Sequence, residues 1–403
     1  MLISRRTFCS GAAAVLGSCA VATRAQSTSR PDVAAIDHDR ILKAAQNYLA
    51  QAPVPLTTLP CKRSPGSPRD YYSGAEDYWP DAAKPGSAYI ERVGQPNPDA
   101  FTAHRDALLH MSMQVPALAA AFVLTKEQKY ANHAVEHLRA WFVDSATNMV
   151  PSLRYAQTIP PAKEGRYEGV IEAVHLAEVA QAVPFLAQST ALTKADLDGV
   201  QAWFAAYSSW LTTSRLGGLA RDDKSHHASS WLLQACAFAR MQLSLAPGSD
   251  DTPLSDLRHR YTSVTLRAQI AADGTFPHEL TTRFPYRFSL FNLDMLAGVC
   301  QLLYTPFSSV WDFYLQDGPG MRSAIAWHFP YIKDRKAWSY EADARYFDEL
   351  PLRCPSLLFC ARAYARPEYA DLWKTLPADT EIAVLQRTFP IRQPLLWVAR
   401  LRP

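Results

Sequence analysis

Two neighbouring stretches decide the fold of this chain, "YEGVIEAVHLAEVAQAVPFLAQS" (residues 167–189) and "KADLDGVQAWFAAYSSWLTT" (194–213). In both, apolar residues recur at steps of three and four, which is the period of an amphipathic helix. Turns with proline, glycine and aspartate join such helical segments along the chain, which suggests helices arranged in pairs. The same period recurs in residues 38–51, 101–125, 129–143, 228–245, 254–271, 291–303 and 355–365.

Strand patterns are scarce in this sequence. The best are "IAVLQRTF" (382–389) and "PLLWVARL" (394–401), which we expect to form a small β-hairpin near the C-terminus. Serial helix pairs with so little strand predict an all-α architecture, in which paired antiparallel helices wind into a toroid or barrel. No low-complexity linker divides residues 26–403, so we expect a single domain there.

The first 25 residues have the pattern of an export signal. Arg5 and Arg6 are followed by an apolar run (11–21) and by small residues before a cut near Ala25. The arginine pair resembles a twin-arginine signal, which predicts a bacterial protein that is periplasmic or secreted. The apolar run is too short to span a bilayer, so no membrane span is expected. "LGSC", ending at Cys19, resembles a lipoprotein cleavage box, and a lipid anchor there is the alternative.

Charge and cysteine usage exclude some classes of function. Cutting near residue 25 removes three arginines and no acidic residue, which brings the formal net charge of +3 to near zero. A nucleic-acid binder needs a basic excess, so nucleic acid is not expected as a partner. The remaining cysteines show no metal-binding spacing, and we expect no metal and no cofactor. An oxidising compartment would allow one disulfide among them. These cysteines stand at positions 61, 236, 300, 354 and 360.

Residues 52–100 form a long loop region rich in proline, tyrosine and tryptophan. Within it Tyr71, Tyr72 and Trp79 alternate with charged residues such as Arg69. Aromatic faces stack on sugar rings, and arginine forks bind carboxylates. The segment is therefore either a sugar subsite or a rigid packed loop that stabilises the domain. Its length favours a functional role.

A histidine pair, His226 and His227, stands before the helical run "ASSWLLQACAFAR" (228–240). Imidazole titrates near neutral pH, so such a pair can transfer protons, bind a ligand or cap the helix. Trp231 and Gln234 follow His227 at steps of four and seven, which places all three on one helix face. The pair is thus a candidate site.

Four long segments carry a further pattern, including "RDYYSGAEDYWPDAAKPGSAYIERVGQPNPDAF" (69–101) and "DGTFPHELTTRFPYRFSLFNLDML" (273–296). Together with residues 141–176 and 338–364 they resemble, in order, the bacterial alginate lyase family of polysaccharide lyases. The resemblance implies an incomplete (α/α) toroid. It also implies β-elimination of a uronic-acid polysaccharide, such as alginate, without an obligatory metal.

The resemblance also assigns site residues. His227 falls on the family's histidine, and His226 on the asparagine before it. The elimination needs a donor set at the C6 carboxylate, a base at C5 and an acid at O4. We expect His227, His226 and Arg283 to be catalytic, with Tyr286 as the nearest phenol to supply the acid. The expected substrate-binding residues are Arg69, Tyr71, Tyr72, Trp79, Tyr155, Arg166, Trp231, Gln234 and Glu279.

The chain departs from the family pattern inside the expected groove. Phe288 replaces the family's tyrosine before the serine, and Tyr167 and Glu168 stand in "GRYEGVI" (165–171) where the family has glycine and isoleucine. Two other functions therefore stay open. One is a catalytically silent, carbohydrate-binding relative. The other is a glycoside hydrolase with paired carboxylates among Glu168, Glu172 and Glu279.

Overall fold

Helices carry most of residues 30–401, the part of the chain that this computed structural model describes. The predicted export signal (1–25) lies outside these residues. The α-helices are α1 (Val33–Tyr48), α2 (Ala103–Thr125), α3 (Gln128–Leu138), α4 (Leu176–Leu186), α5 (Lys194–Thr213), α6 (Arg215–Arg221), α7 (His226–Leu245), α8 (Thr252–Arg260), α9 (Leu266–Gln269), α10 (Pro277–Leu280), α11 (Pro285–Leu303), α12 (Met321–Lys333), α13 (Pro355–Tyr364), α14 (Pro367–Thr375), α15 (Ala383–Thr388) and α16 (Leu395–Val398).

Short elements connect these helices. The 3₁₀ turns cover Leu56–Thr58, Tyr167–Ala173 and Arg335–Ala337, and π-helical turns cover Arg139–Val143 and Tyr261–Thr265. The strands are β1 (Tyr72–Gly74), β2 (Tyr78–Trp79), β3 (Ile90–Glu91) and β4 (Tyr155–Thr158). Strand β1 pairs in parallel with β4, and β2 pairs antiparallel with β3. The pairing of β1 with β4 ties the long loop region to the segment before α4.

Two layers of helices build the fold. Helices α2, α4, α7, α11 and α13 pack one against the next and form the inner layer. Helices α1 and α3 pack on α2, α5 and α8 on α7, α12 on α11, and α14 on α13. The inner helices are buried on nearly all sides, as expected for helices covered by a second layer. The architecture is the all-α, incomplete (α/α) toroid that the sequence predicted.

Local sequence explains where the outer helices begin and end. Thr193 and Asp196 form a capping box at the start of α5, in which each side chain accepts the other's backbone N–H at 3.2 Å. Ser214 then ends α5 and caps α6 by accepting the N–H of Gly217 at 3.0 Å. A Cβ on Gly217 would lie 2.0 Å from the carbonyl oxygen of Leu211, so glycine is required at this turn.

The predicted C-terminal β-hairpin is wrong. Its two segments contain the short helices α15 and α16 instead. Between them, the backbone N–H groups of Arg392 and Gln393 donate to Glu178 Oε1 at 2.8 and 2.7 Å, so they are not available for a strand ladder. Trp397 also donates to this buried carboxylate, at 3.2 Å. A core carboxylate therefore organises this segment.

Two helical segments are apolar and long enough to cross a membrane by length and composition. They are α2 and residues 167–186, and their most apolar windows are 78% and 83% buried inside the fold. Packing in the inner layer accounts for this hydropathy.

Within residues 30–401 all cysteines are free thiols, and those at 236, 300, 354 and 360 are buried in the core.

Two buried histidines make the stability of the fold depend on pH. His137 and His328 are 0% and 1% exposed. The pKa of each is lowered to about 4. Burial is the main cause for both, and for His137 the neighbouring His133 also contributes. In the unfolded chain histidine titrates near about pH 6.5. Below that pH the unfolded state binds protons that the folded state excludes, so stability is lost as the pH falls.

We therefore expect each of these two histidines to contribute a fall in the free energy of unfolding between about pH 6.5 and about pH 4, of roughly 1.4 kcal/mol per pH unit. Urea unfolding at a series of pH values measures this slope. His328→Gln keeps a hydrogen-bonding side chain without the titration and should make the slope shallower. The same pH dependence in His328→Gln and in the wild type would contradict the prediction.

Candidate active site

The histidine pair opens helix α7, which begins at His226. Ser225 is the N-cap residue, and its hydroxyl accepts the backbone N–H of His227. Asp223 in turn accepts the backbone N–H and the hydroxyl of Ser225, at 2.7 and 2.5 Å. The two imidazole rings stack with their centroids 4.5 Å apart. The local sequence thus builds a capped helix start that presents two imidazoles side by side.

The cap fixes the tautomer of His227. Its Nδ1 lies 2.9 Å from Ser225 Oγ, and the serine donates its own proton to Asp223. Ser225 Oγ can therefore only accept from the ring, so Nδ1 carries the proton. This leaves Nε2 of His227 with a free lone pair. An imidazole in this state is a base.

The surroundings keep His227 neutral. Its side chain is 19% exposed. Burial, followed by the positive charge of His226, lowers its pKa to about 3, against the opposing effect of Asp223. Tyr167 donates its hydroxyl to the second oxygen of Asp223 at 3.1 Å, and its ring stands edge-on to His227 at 6.0 Å. A neutral imidazole and a phenol therefore share one carboxylate.

A buried carboxylate orients His226. Glu279, on α10, has no solvent exposure. Its Oε1 accepts the backbone N–H of His226 at 2.7 Å, and its Oε2 lies 2.8 Å from the ring Nδ1. Phe288 covers the ring at 4.5 Å, and Phe291 stands edge-on at 5.5 Å. The prediction that Glu279 binds substrate is therefore corrected: it is sealed beneath His226 and positions it.

His226 also lines a pocket of about 190 Å³ between the helices. Glu76 stands in this pocket between two arginines, accepting from Arg105 at 2.9 Å and from Arg387 at 2.8 Å. Other lining residues include Gln157, Ile171, Glu172, His175 and Phe288. Sequence reasoning missed the Glu76 cluster, because its members come from three distant segments and form no local motif.

These features are those of one known family. A family model described as alginate lyase matches residues 59–338. The chain belongs to the alginate lyase family. Its members are polysaccharide lyases, so the histidine pair and its pocket are the candidate active site of a lyase fold.

Solved structures of alginate lyases share the fold. One from Bacteroides ovatus is 26% identical over 92% of this chain and 94% of its own, with a TM-score of 0.78. Alginate lyase A1-III from Sphingomonas species A1 is 18% identical, with 82% and 88% covered and a TM-score of 0.50. A histidine-to-alanine variant of A1-III complexed with a tetrasaccharide is 17% identical, with 94% and 98% covered and a TM-score of 0.52. The comparison with curated proteins finds no match.

The aromatic residues of the long loop mostly hold the loop itself. Tyr71 is buried and donates to Glu172 at 2.7 Å, and Tyr72 is also buried. Trp79 is half-buried, donates to a backbone carbonyl within the loop, and lies under Arg92 at 5.2 Å. The packed-loop interpretation fits these contacts better than a row of free stacking surfaces.

Two other predicted subsite residues also make contacts to the protein. Arg69 donates to Asn148. The ring of Tyr155 lies beneath Arg154 at 5.5 Å. These two residues stay candidates for substrate contact on the rim of the site.

Trp231 and Gln234 share a face with His227 but do not reach the cleft. Trp231 donates its indole N–H to Leu211 at 3.0 Å. Gln234 is fully buried and accepts the hydroxyl of Tyr207 at 3.2 Å. Gln234 is therefore corrected to a core residue, whereas Trp231 lines a separate pocket of about 610 Å³ and not the one beside His226.

Arg166, in contrast, does join the site. Its charge contributes to the lowered pKa of His227, and it forms an ion pair with Glu168. Its guanidinium also lies over the ring of Tyr78 at 5.1 Å. Arg166 therefore connects the long loop to the histidine pair.

Within residues 30–401 no cluster of three or more histidine, cysteine, aspartate or glutamate side chains could hold a metal ion.

The structure does not bring Tyr286 to the histidines. Helix α11 already begins at Pro285, so residues 285–288 are helical and Tyr286 points away from the side that carries Phe288. Its hydroxyl donates to the carbonyl of Tyr331 at 2.9 Å, and its ring packs on Trp338. The expectation that Tyr286 is the acid is thereby corrected: its hydroxyl is a buried structural group.

Arg283 does not contact the histidine pair either. It is exposed, and its Nη1 donates to the carbonyl of Val93 at 3.0 Å, so it contacts the long loop rather than either histidine. The loop is thereby fastened to the turn before α11. The expectation that Arg283 is catalytic is therefore corrected: it contacts the long loop and not the histidine pair.

We expect Tyr286→Phe to cost about 1 kcal/mol of folding free energy, because one buried hydrogen bond is lost. The same variant should turn over substrate at the wild-type rate, since no reacting group changes. Urea unfolding and a steady-state assay measure the two quantities. A variant that folds normally but loses turnover would contradict this placement and return the phenol to the mechanism.

Proposed function

We propose that the protein is an exported lyase that cleaves alginate or a related polyuronate by β-elimination. The observation that carries the proposal is the neutral His227, whose Nε2 is free at a partly open helix start. Family membership supports the substrate class. The solved structures that share its fold are alginate lyases, one of them with a bound tetrasaccharide.

The chemistry needs three kinds of group. The C5 hydrogen of a uronate is a weak acid, so charge that develops towards the C6 carboxylate must be stabilised by donors, each worth on the order of 3 kcal/mol. A base must take the C5 proton, and an acid must protonate O4; such groups contribute about 10²–10⁴-fold each. We assign His227 Nε2 as the base.

His226 is assigned to the C6 carboxylate. Its Nδ1 and backbone N–H are both bound by Glu279, so its other ring edge is the part that lines the pocket. The interaction with His226 is among the causes of the lowered pKa of His227. A donor at the carboxylate next to a neutral base is the arrangement that proton abstraction beside a carboxylate requires.

Contacts of the candidate carboxylates weigh against a glycoside hydrolase. Glu279 is sealed under His226, and Glu168 is paired with Arg166. Glu172 accepts the hydroxyls of Tyr71 and Ser73, each at 2.7 Å. A hydrolase needs two carboxyl groups that flank one glycosidic bond, and these three are engaged in separate contacts.

A silent carbohydrate-binding relative is the second candidate. The observation that favours it is Phe288, which covers His226 with a ring that has no hydroxyl. Without a phenol at that position the chain needs another acid for O4. Turnover, rather than binding, therefore separates the two candidates.

We expect the purified protein to release products with the ultraviolet absorbance of a C4–C5 unsaturated uronate from alginate or a related polyuronate. His227→Ala should abolish that signal, because it removes the base. His110→Ala is the matched control, since His110 is exposed on α2, and it should leave the rate unchanged. Reducing ends that appear without absorbance would indicate a hydrolase, and saturable binding with neither product would indicate a silent relative.

Export is proposed from the sequence of residues 1–25. Replacing both Arg5 and Arg6 by lysine keeps the charge but removes the arginine pair that resembles a twin-arginine signal. We expect the full-length protein to reach the periplasm or medium of a bacterial host and the double variant to stay inside. Cell fractionation measures the distribution. Equal export of both forms would contradict a twin-arginine route, and labelling by radioactive lipid would identify an anchor at Cys19.

A further inference from the structure

Position 288 and two of the predicted site tyrosines offer no acid for the proposed elimination. Phe288 has no hydroxyl, and Tyr286 donates its own to the carbonyl of Tyr331. Tyr71 is buried against Glu172. A proton donor for O4 must lie within about 3 Å of that oxygen, and a phenol beside the base can meet this requirement.

Tyr167 stands beside this base. Its ring is 6.0 Å from that of His227, and it is only partly buried. Its hydroxyl donates to Asp223 Oδ2, while Asp223 Oδ1 accepts from Ser225, whose oxygen receives the proton of His227 Nδ1. One carboxylate therefore orients both the imidazole and the phenol.

The backbone around Tyr167 is fixed from both sides. A Cβ on Gly165 would lie 2.1 Å from the carbonyl oxygen of Ala156, and one on Gly169 would lie 2.6 Å from the side chain of the same alanine. Both positions therefore require glycine for this close approach to β4. The residues between the two glycines are held in place, so the Tyr167 side chain starts from a rigid frame.

We propose that Tyr167 is the catalytic acid of this lyase, the residue that protonates O4 of the departing sugar; the assignment rests on the proposed function. The C5–H bond breaks and its proton moves to His227 Nε2, while the electron pair forms the C4–C5 double bond. The C4–O4 bond breaks, and O4 takes the phenolic proton. After the product leaves, the extra proton on His227 and the missing one on Tyr167 are restored by exchange with water.

The charges of the cluster suit these roles. Burial, followed by the charge of Asp223, raises the pKa of Tyr167 to about 12, so the phenol holds its proton until a more basic alkoxide forms. Burial alone would raise the pKa of Asp223, but hydrogen bonds from Ser225 lower it, so this group is an anion and not the acid. Tyr167 is thus the group in the cluster with a proton to give.

The test compares two leaving groups. An oligouronate needs a proton at O4, whereas a uronate glycoside with fluoride at C4 releases its leaving group without one. We expect Tyr167→Phe to lower kcat on the oligouronate by about 10²–10⁴-fold, with less than a threefold change on the fluoride. The binding constant for an oligouronate and the melting temperature should stay close to wild type. Tyr286→Phe, which removes a buried phenol away from the site, is the matched control and should leave both rates unchanged.

Each outcome decides the assignment. Unchanged turnover of the oligouronate by Tyr167→Phe, or an equal loss on both substrates, would overturn it while leaving the lyase proposal intact. His227→Ala should lose both reactions, because both need the base. A wild-type protein that forms no unsaturated uronate from either substrate would overturn the proposed function itself. Partial recovery of the oligouronate reaction on adding Phe288→Tyr to Tyr167→Phe would support the assignment further.

Discussion

The contact between Glu279 and the start of α7 is the one on which the site depends. A carboxylate with no solvent exposure is costly unless its charge is met, and here both oxygens bind His226. The positive end of the α7 dipole adds to this stabilisation. The same contact fixes the orientation of His226, whose interaction with His227 is among the causes of the lowered pKa of His227. One buried carboxylate therefore connects the packing of α10 to the environment of the reactive imidazole.

Periodicity was enough to predict the ring of helices, because burial of one face leaves its mark at every turn of a helix. It failed at the C-terminus, where two apolar runs suggested a hairpin. That segment is organised by Glu178, whose position more than two hundred residues earlier gives no local signal. Propensity describes what a segment can form alone, whereas a buried carboxylate offered these backbone donors a better partner than a neighbouring strand.

The site was predictable only where a motif stayed local. Helical spacing correctly placed Trp231 and Gln234 on one face with His227, but it could not show that Gln234 is buried or that Trp231 lines a different pocket from His226. In the same way, Tyr286 lies close to Phe288 in sequence and faces a different part of the protein. The cluster around Glu76 has no sequence pattern at all, since tertiary packing alone assembles it.

Four aromatic side chains contact one another in series across the candidate active site. Phe288 packs on His226 at 4.5 Å, His226 stacks on His227 at 4.5 Å, and Tyr167 stands against His227 at 6.0 Å. The family resemblance places a phenol at the Phe288 end, whereas this chain has it at the Tyr167 end. Apolar cover at the Phe288 end shields the pair of His226 and Glu279 from water, which strengthens that ionic contact. At the Tyr167 end, Asp223 accepts the hydroxyl of Tyr167. Asp223 also accepts the hydroxyl of Ser225, which binds His227. A hydroxyl on Tyr167 instead of at position 288 therefore lies beside His227, the proposed base, and not beside His226.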